Sequence, residues 1–273
     1  MSGSSKNKES GEDILPRPLN KSLNRTALAD RIDASTVLFE VPLTSPTAKG
    51  STYRIIVTNE MDEYDAPVAP ADLLGTSAAA LAARAGGGDD FQGTARKAAK
   101  ISIADAPTEV FNDLQNLIAT LPAIKTMANH KPPITTGANS NRVAEEKRNI
   151  RIRVWLYAAS RENDNDFHLI LGRAPGLTPK IYMTMELSGL PPASSPHFAK
   201  LKAARDAYKK FFKNNLPGTS YQHYVPPIPV EIEGSLFFDI NHATGSRPGP
   251  QKLRPNMPTV WEVHPISKIK FEP

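Results

Sequence analysis

Carboxylates and imidazoles recur together in three stretches of the C-terminal half, Asp166-Phe167-His168, Asp239-Ile240-Asn241-His242 and Glu262-Val263-His264-Pro265. Each lies on, or at the end of, a run that is otherwise apolar and β-prone. Groups of this kind are costly beside a core, because an ionised or unmatched polar side chain loses its hydration there. Two arrangements would compensate. Gathered at one place, Asp166, His168, Asp239, His242, Glu262 and His264 would make a His/carboxylate centre, with His168, Asp239, His242 and His264 as candidate ligands of a divalent cation and a cation-bound water as hydrolytic nucleophile. Paired within and between strands, the same residues would make Asp-His and Glu-His clamps that hold strand ends together. The spacing does not choose, since the chain contains neither His-Glu-x-x-His nor His-x-His.

Side-chain alternation places these residues further. On a strand, Asp166 and His168 share one face while Phe167 and Leu169 take the other, and Glu262 and His264 lie opposite Trp261 and Val263. Other chemistries are poorly supplied. Cysteine is absent, which removes disulfides, thiolate nucleophiles and thiolate zinc sites. No Gly-x-Ser-x-Gly elbow marks a serine nucleophile, and Gly86-Gly87-Gly88 lacks the Lys-Ser/Thr of a phosphate loop and reads as a linker. His130, His197 and His223 stand in Pro-rich or polar surroundings and receive no role.

The elements that must position these groups are regular from Ile150 onward. Ile150–Tyr157, Asp166–Leu171, Lys180–Leu187, Val230–Ile240 and Val260–Phe271 read as strands, the first two as an antiparallel hairpin. Pro196–Lys213 reads as a helix with an apolar stripe of Phe198, Leu201, Ala204, Tyr208, Phe211 and Phe212. Its Lys200, Lys202, Arg205, Lys209, Lys210 and Lys213 read as the solvated face. The order β-β-β-α-β-β is the chain order of an OB-fold, a five-stranded Greek-key barrel. The expected fold class is therefore mainly β with helices, such a barrel over residues 131–273 with an α+β N-terminal extension.

The motifs Asp-aromatic-His-Leu-Ile-Leu, Phe-Phe-Asp-x-x-His and Glu-x-His-Pro-Ile, in that order, resemble a bacterial family of small, uncharacterised OB-like domains often found in exported proteins. The resemblance spans residues 130–273 and implies the fold. It transfers no activity, and the long N-terminal extension without a secretory signal departs from the pattern. Nucleases of the staphylococcal type also use an OB-like barrel, with acidic residues after the first hairpin turn, as Asp164 and Asp166 are here. Their paired arginines have no match by position, so that analogy rests on fold alone.

Upstream, residues 1–25 read as a disordered tail and residues 26–130 as an accessory segment packed on the barrel. Thr36–Leu43 and Thr52–Thr58 look like neighbouring strands, Leu73–Arg84 a short helix, and Pro107–Leu121 a helix with Val110, Leu114, Leu117, Ile118 and Leu121 on one face. The basic charge sits in the C-terminal half. Residues 1–130 carry 13 Lys and Arg against 16 Asp and Glu, and residues 131–273 carry 20 against 12.

This asymmetry supports the functional reading that the sequence favours, a non-catalytic binding module for an anionic polymer such as single-stranded nucleic acid, or for another protein. OB-folds bind through the loops joining strands one to two and four to five, with basic residues on phosphates and aromatics on bases. Arg247, Lys252 and Arg254 lie in the four-to-five loop, and Arg151 and Arg153 alternate beside Trp155 on the first strand. Trp155 either completes an exposed basic-aromatic stripe or packs against a neighbouring segment. The alternative is a metal-dependent hydrolase or nuclease using the His/carboxylate cluster, and a divalent metal is the only cofactor it calls for. The chain has no apolar run long enough to span a bilayer and no hydrophobic secretory segment at its start, so its expected compartment as written is the cytoplasm; an exported protein in mature form would carry the same pattern.

Overall fold

Eight strands join one mixed sheet in the computed structural model, which describes residue 32 and residues 34–61, 88–245 and 247–273. They are β1 (Val37–Thr44), β2 (Thr52–Thr58), β3 (Thr108–Phe111), β4 (Asn149–Arg161), β5 (Phe167–Gly172), β6 (Tyr182–Leu187), β7 (Gln222–Phe238) and β8 (Trp261–Phe271). The described helices are α1 (Lys97–Lys100), α2 (Leu114–Ala119), α3 (Ile124–Ala128) and α4 (Phe198–Phe212). The expected tail over residues 1–25 and helix over Leu73–Arg84 lie outside the described residues. No helix among the described residues is long and apolar enough to cross a membrane.

Strand order is β1-β2-β7-β8-β6-β5-β4-β3, and β7 pairs additionally with β4. The pairings β4–β5–β6–β8–β7–β4 therefore return on themselves. Strand β4 serves two neighbours because it is long: Asn149–Ala159 runs against β7, and Trp155–Arg161 against β5. It alternates over Ile150–Leu156, with Ile150, Ile152, Val154 and Leu156 at 0–1% exposure and Arg151, Arg153 and Trp155 outside, and is buried on both faces beyond. Strands β6 and β8 run parallel, as do β3 and β4. At Gly234 the strands β7 and β8 approach so closely that a Cβ would lie 2.5 Å from the Pro265 carbonyl oxygen, a contact no other residue type permits.

The core fills the side of the sheet to which β4 turns its Ile and Val residues. Leu169, Leu171, Met183, Met185, Val263 and Leu236 meet them there. Each such side chain contributes about 1.5–3 kcal/mol by leaving water. Helix α4 closes the core, its Phe211 stacked on Phe271 with ring centroids 4.0 Å apart and planes 9° from parallel. One member of its expected solvated face is instead buried: Arg205 lies over the Phe167 ring and donates to Asp89 and to the carbonyls of Leu187 and Ser188. These partners offset the burial of Nε and Nη1, while Nη2 is buried without a hydrogen bond.

Two local expectations are corrected. Pro107–Leu121 is not one helix. Thr108–Phe111 pairs in parallel with Asn149–Ile152 as β3, leaving Val110 exposed, and Asp113 then accepts from the Gln115 amide to start α2. Pairing with the open edge of β4 outweighs the helical period of the stripe. The strand expected over Val230–Ile240 begins at Gln222 and runs through Pro226, Pro227 and Pro229 to Phe238. Its early part, Gln222–Val225, precedes the prolines and is held by β2. Through β2–β7 and β3–β4, strands from the first 130 residues extend the same sheet. A strap formed by residues 88–105 crosses the sheet face opposite the core, tied by Phe91 N to Leu190 O and Ala104 N to Ser235 Oγ.

Candidate functional site

Period-two alternation turns His168 on β5, Thr184 and Glu186 on β6, and Glu262 and His264 on β8 away from the core. Register then makes neighbours of them, with His168 opposite Glu186. Over this face lies a cavity of about 260 Å³, walled by the β4–β5 loop (Glu162, Asn163, Asp164), the segment after β7 (Asp239 to His242, and Pro248) and the strap (Ala95, Arg96, Lys100). Of the six residues singled out in the three motifs, His168, Asp239, His242 and Glu262 line it, while Asp166 and His264 sit fully buried behind.

His264 is the centre of the buried layer. Ser188 Oγ donates to the Lys100 carbonyl at 2.8 Å, so the His264 Nε2 that lies 2.8 Å from the same oxygen carries a hydrogen and donates to it. Nε2 also faces Asp166 Oδ2 at 3.3 Å, and Nδ1 faces Glu186 Oε2 at 3.0 Å and Glu262 Oε2 at 3.7 Å. Burial opposes charge on this ring, but Asp166 and Glu262 outweigh it and raise its pKa. Asp166 responds in the opposite sense: burial pushes its carboxyl up, yet His264, Lys100 and the Gly189 amide hold it down at about 2.

Lys100 supplies a second cation. Its ammonium lies 3.4 Å from Asp164 Oδ2 and 3.7 Å from Asp166 Oδ2. Desolvation works against its charge, but Glu186, Asp166, Asp164 and Glu162 together keep it protonated well above the ordinary range. These cations do not satisfy every acid. Burial and then Asp166 push Asp164 up to about 7. Burial followed by Glu162 raises Glu186 well above the usual carboxyl range, and burial followed by Glu186 does the same to Glu262. Asp166 Oδ2, Glu186 Oε2 and His264 Nδ1 are buried with no hydrogen-bond partner, although the last two are 3.0 Å apart. Asp239 and His242 form a separate pair at the rim, which overcomes burial to hold Asp239 low.

Three overlapping groups have ligand atoms within 4.8 Å of one another: Glu162–His168–Glu186, Asp166–Glu186–His264 and Glu162–Asp164–Asp166. Sequence reasoning missed Glu162, Glu186, Ser188 and Lys100. For Glu186 and Ser188 a signal was present, since Thr184, Glu186 and Ser188 alternate with Met183, Met185 and Leu187. Lys100 had none, because the strap brings it from far upstream.

The residues proposed for binding a polyanion are placed elsewhere. Arg151 donates to Glu233 at 3.1 Å across the β4–β7 ladder, and Arg153 stands opposite Glu231 in the same register. Trp155 packs on a small cluster containing Tyr157, Ile170 and Tyr182. Arg247 donates to the Met257 carbonyl and Arg254 to the Gly249 carbonyl, whereas Lys252 is exposed.

No family model matches this chain, and neither a curated protein nor a solved structure matches it.

Proposed function

We propose that β4 to β8 make an OB-type barrel whose cavity is the hydrolytic centre of an enzyme that uses a divalent cation and acts on a phosphodiester or similar ester. Several observations support the barrel. The five strands pair in a closed circuit, the third and fifth run parallel, and α4 lies between the third and fourth. The cavity lies over the face of the second and third strands, between the one-to-two and four-to-five loops, where OB barrels hold their ligands.

One observation carries the chemistry: Glu162, Asp164, Glu186, Asp239 and Glu262 line the same cavity as His168 and His242. Burial first, and then repulsion among so many acids, makes Asp164, Glu186 and Glu262 favour their neutral forms. A divalent cation held among these residues would supply the missing counter-charge, and with it Lewis-acid activation of a phosphate oxygen and of water. Asp164, near neutrality, is placed to take up the proton of an attacking water.

A second reading, binding of an anionic polymer without catalysis, draws on exposed Lys252 and Arg153. It ranks lower because Arg151 is engaged by Glu233 and Arg153 faces Glu231. The deciding experiment incubates metal-stripped protein with bis(p-nitrophenyl) phosphate and with single-stranded DNA and RNA, with and without Mn2+ or Zn2+. Cation-dependent cleavage is expected. Salt-sensitive binding without cleavage would replace this reading with the binding module.

A further inference from the structure

Resting on the catalytic reading above, we propose that the divalent cation is held by Glu162, His168 and Glu186, with His168 ligating through Nδ1. The three candidate groups differ in what already serves them. The Glu162–Asp164–Asp166 group has its own cation, the Lys100 ammonium at 3.4 Å from Asp164 and 3.7 Å from Asp166. A metal ion there would meet the ammonium at ion-pair distance from two of its three ligands, a charge that Glu186 and Glu162 also feel. In the Asp166–Glu186–His264 group the imidazole stands between the carboxylates, its Nε2 donating to Ser188 Oγ and facing Asp166 while Nδ1 faces Glu186. Asp166 and His264 also do not border the cavity, so an ion has no wet approach to them.

Glu162, His168 and Glu186 all border it. The Nε2 of His168 is 3.2 Å from Thr184 Oγ1, which orients the ring so that Nδ1 turns toward Glu162 Oε1 at 3.3 Å and the Tyr221 hydroxyl at 3.2 Å. This is the outer-shell arrangement that metal-bound histidines use, one nitrogen on the ion and the other tied to a polar partner. Glu186 Oε2 is a carboxylate oxygen on a 3% exposed residue bordering the cavity; it makes no hydrogen bond, and it faces His264 Nδ1 at 3.0 Å. Two carboxylates and one imidazole suit Zn2+ or Mn2+, and the cavity side is left for water and substrate. The two anionic ligands neutralise the ion, and the ion removes the repulsion that Glu162 exerts on Glu186.

The test is isothermal titration of the chelator-treated full chain with Zn2+ and with Mn2+, repeated on Glu162→Gln, His168→Gln, Glu186→Gln and, as a control outside the cavity, the exposed Lys252→Gln. One equivalent is expected for the wild type. Affinity should fall at least about tenfold in each of the three ligand variants and stay within about threefold in Lys252→Gln. Melting curves identify any variant that fails to fold. Glu162, with a quarter of its side chain exposed, keeps the test decisive if the buried variants do not. Binding unchanged in Glu162→Gln overturns this assignment and leaves cation-dependent hydrolysis standing. Binding lost as expected, with no cleavage by the loaded wild type, retains the site and overturns the hydrolytic reading. Absence of uptake of either ion by the wild type overturns both.

Discussion

Arg96 offers the sharpest test of how the cavity is roofed. Its guanidinium makes a two-pronged pair with Glu146, Nη1 to Oε1 and Nη2 to Oε2 at 2.7 Å each, and donates further to the carbonyls of Phe238 at 3.1 Å and Asn141 at 3.0 Å. It also lies 4.6 Å from the Phe237 ring centroid. Only 2% of the Arg96 side chain and none of Glu146 reaches solvent. Arg96→Met keeps most of the stem but leaves a buried carboxylate without its cation. Breaking a buried pair from one side costs about 3–5 kcal/mol. The amides of Val143 and Phe238, each donating to Glu146 at 2.8 Å, still hold the anion, so the lower half of that range is expected. For a chain of this size that is a fall in Tm of roughly 6–15 °C. Urea unfolding of wild type, Arg96→Met, Glu146→Leu and the double variant measures it. Because the pair shares its bonds, the double variant should be more stable than additivity predicts by about 2 kcal/mol. A cost below about 1 kcal/mol for Arg96→Met, the size of an exposed ion pair, would refute the reasoning.

Two further outcomes follow from the same geometry. Burial pushes the Glu272 carboxyl up, but hydrogen bonds from Thr47, Tyr53 and Ser45 outweigh it and hold the pKa below the ordinary glutamate value. A depressed folded-state pKa gives stability that is complete above the unfolded value, about 4.3, and is lost as pH falls through the folded one. Urea unfolding at pH 7, 5, 4 and 3 should therefore show a smaller acid loss in Glu272→Gln than in the wild type; parallel pH curves would remove Glu272 as a source of that loss. A Cβ at Gly189 would lie 2.6 Å from Phe91 Cα and 3.1 Å from the Asp164 carbonyl oxygen, both backbone atoms. Gly189→Ala should cost about 1–3 kcal/mol and speed proteolysis within residues 88–105, whereas a change within about 0.5 kcal/mol would show that the strap does not press on the segment that follows β6.

How far the site was legible depended on the range of the interaction that makes it. Alternation is local, so the sharing of a face by Asp166 and His168, and by Glu262 and His264, could be read from the strands themselves. Membership of one cavity depends on β5, β6 and β8 being neighbours, which the chain order suggested but no residue pair encodes. Glu186 is the instructive omission. Within Tyr182-Met-Thr-Met-Glu-Leu-Ser188 the polar residues hold one phase of the strand and the methionines and leucine the other, a signal as clear as that of Asp166 and His168. A lone glutamate lacked the histidine that drew the eye to the other motifs. Helix α2 and strand β3 were misread because the apolar spacing of residues 110–121 fits a helix, while the edge of β4 that captures Thr108–Phe111 is distant in sequence.

The basic stripe shows the same limit from the other side. Arg151 and Arg153 do point outward with Trp155, as alternation requires, but cross-strand register sets Glu233 and Glu231 against them. An arginine facing a glutamate across a ladder has its charge matched before any phosphate arrives. Inside the cavity acids outnumber the cations beside them, and burial keeps Asp164, Glu186 and Glu262 from ionising together. A polyanion approaching that face meets repulsion unless a cation stands between them. The cation-dependent centre proposed above draws on this cavity, whereas the polyanion reading draws on a stripe whose arginines already face glutamates.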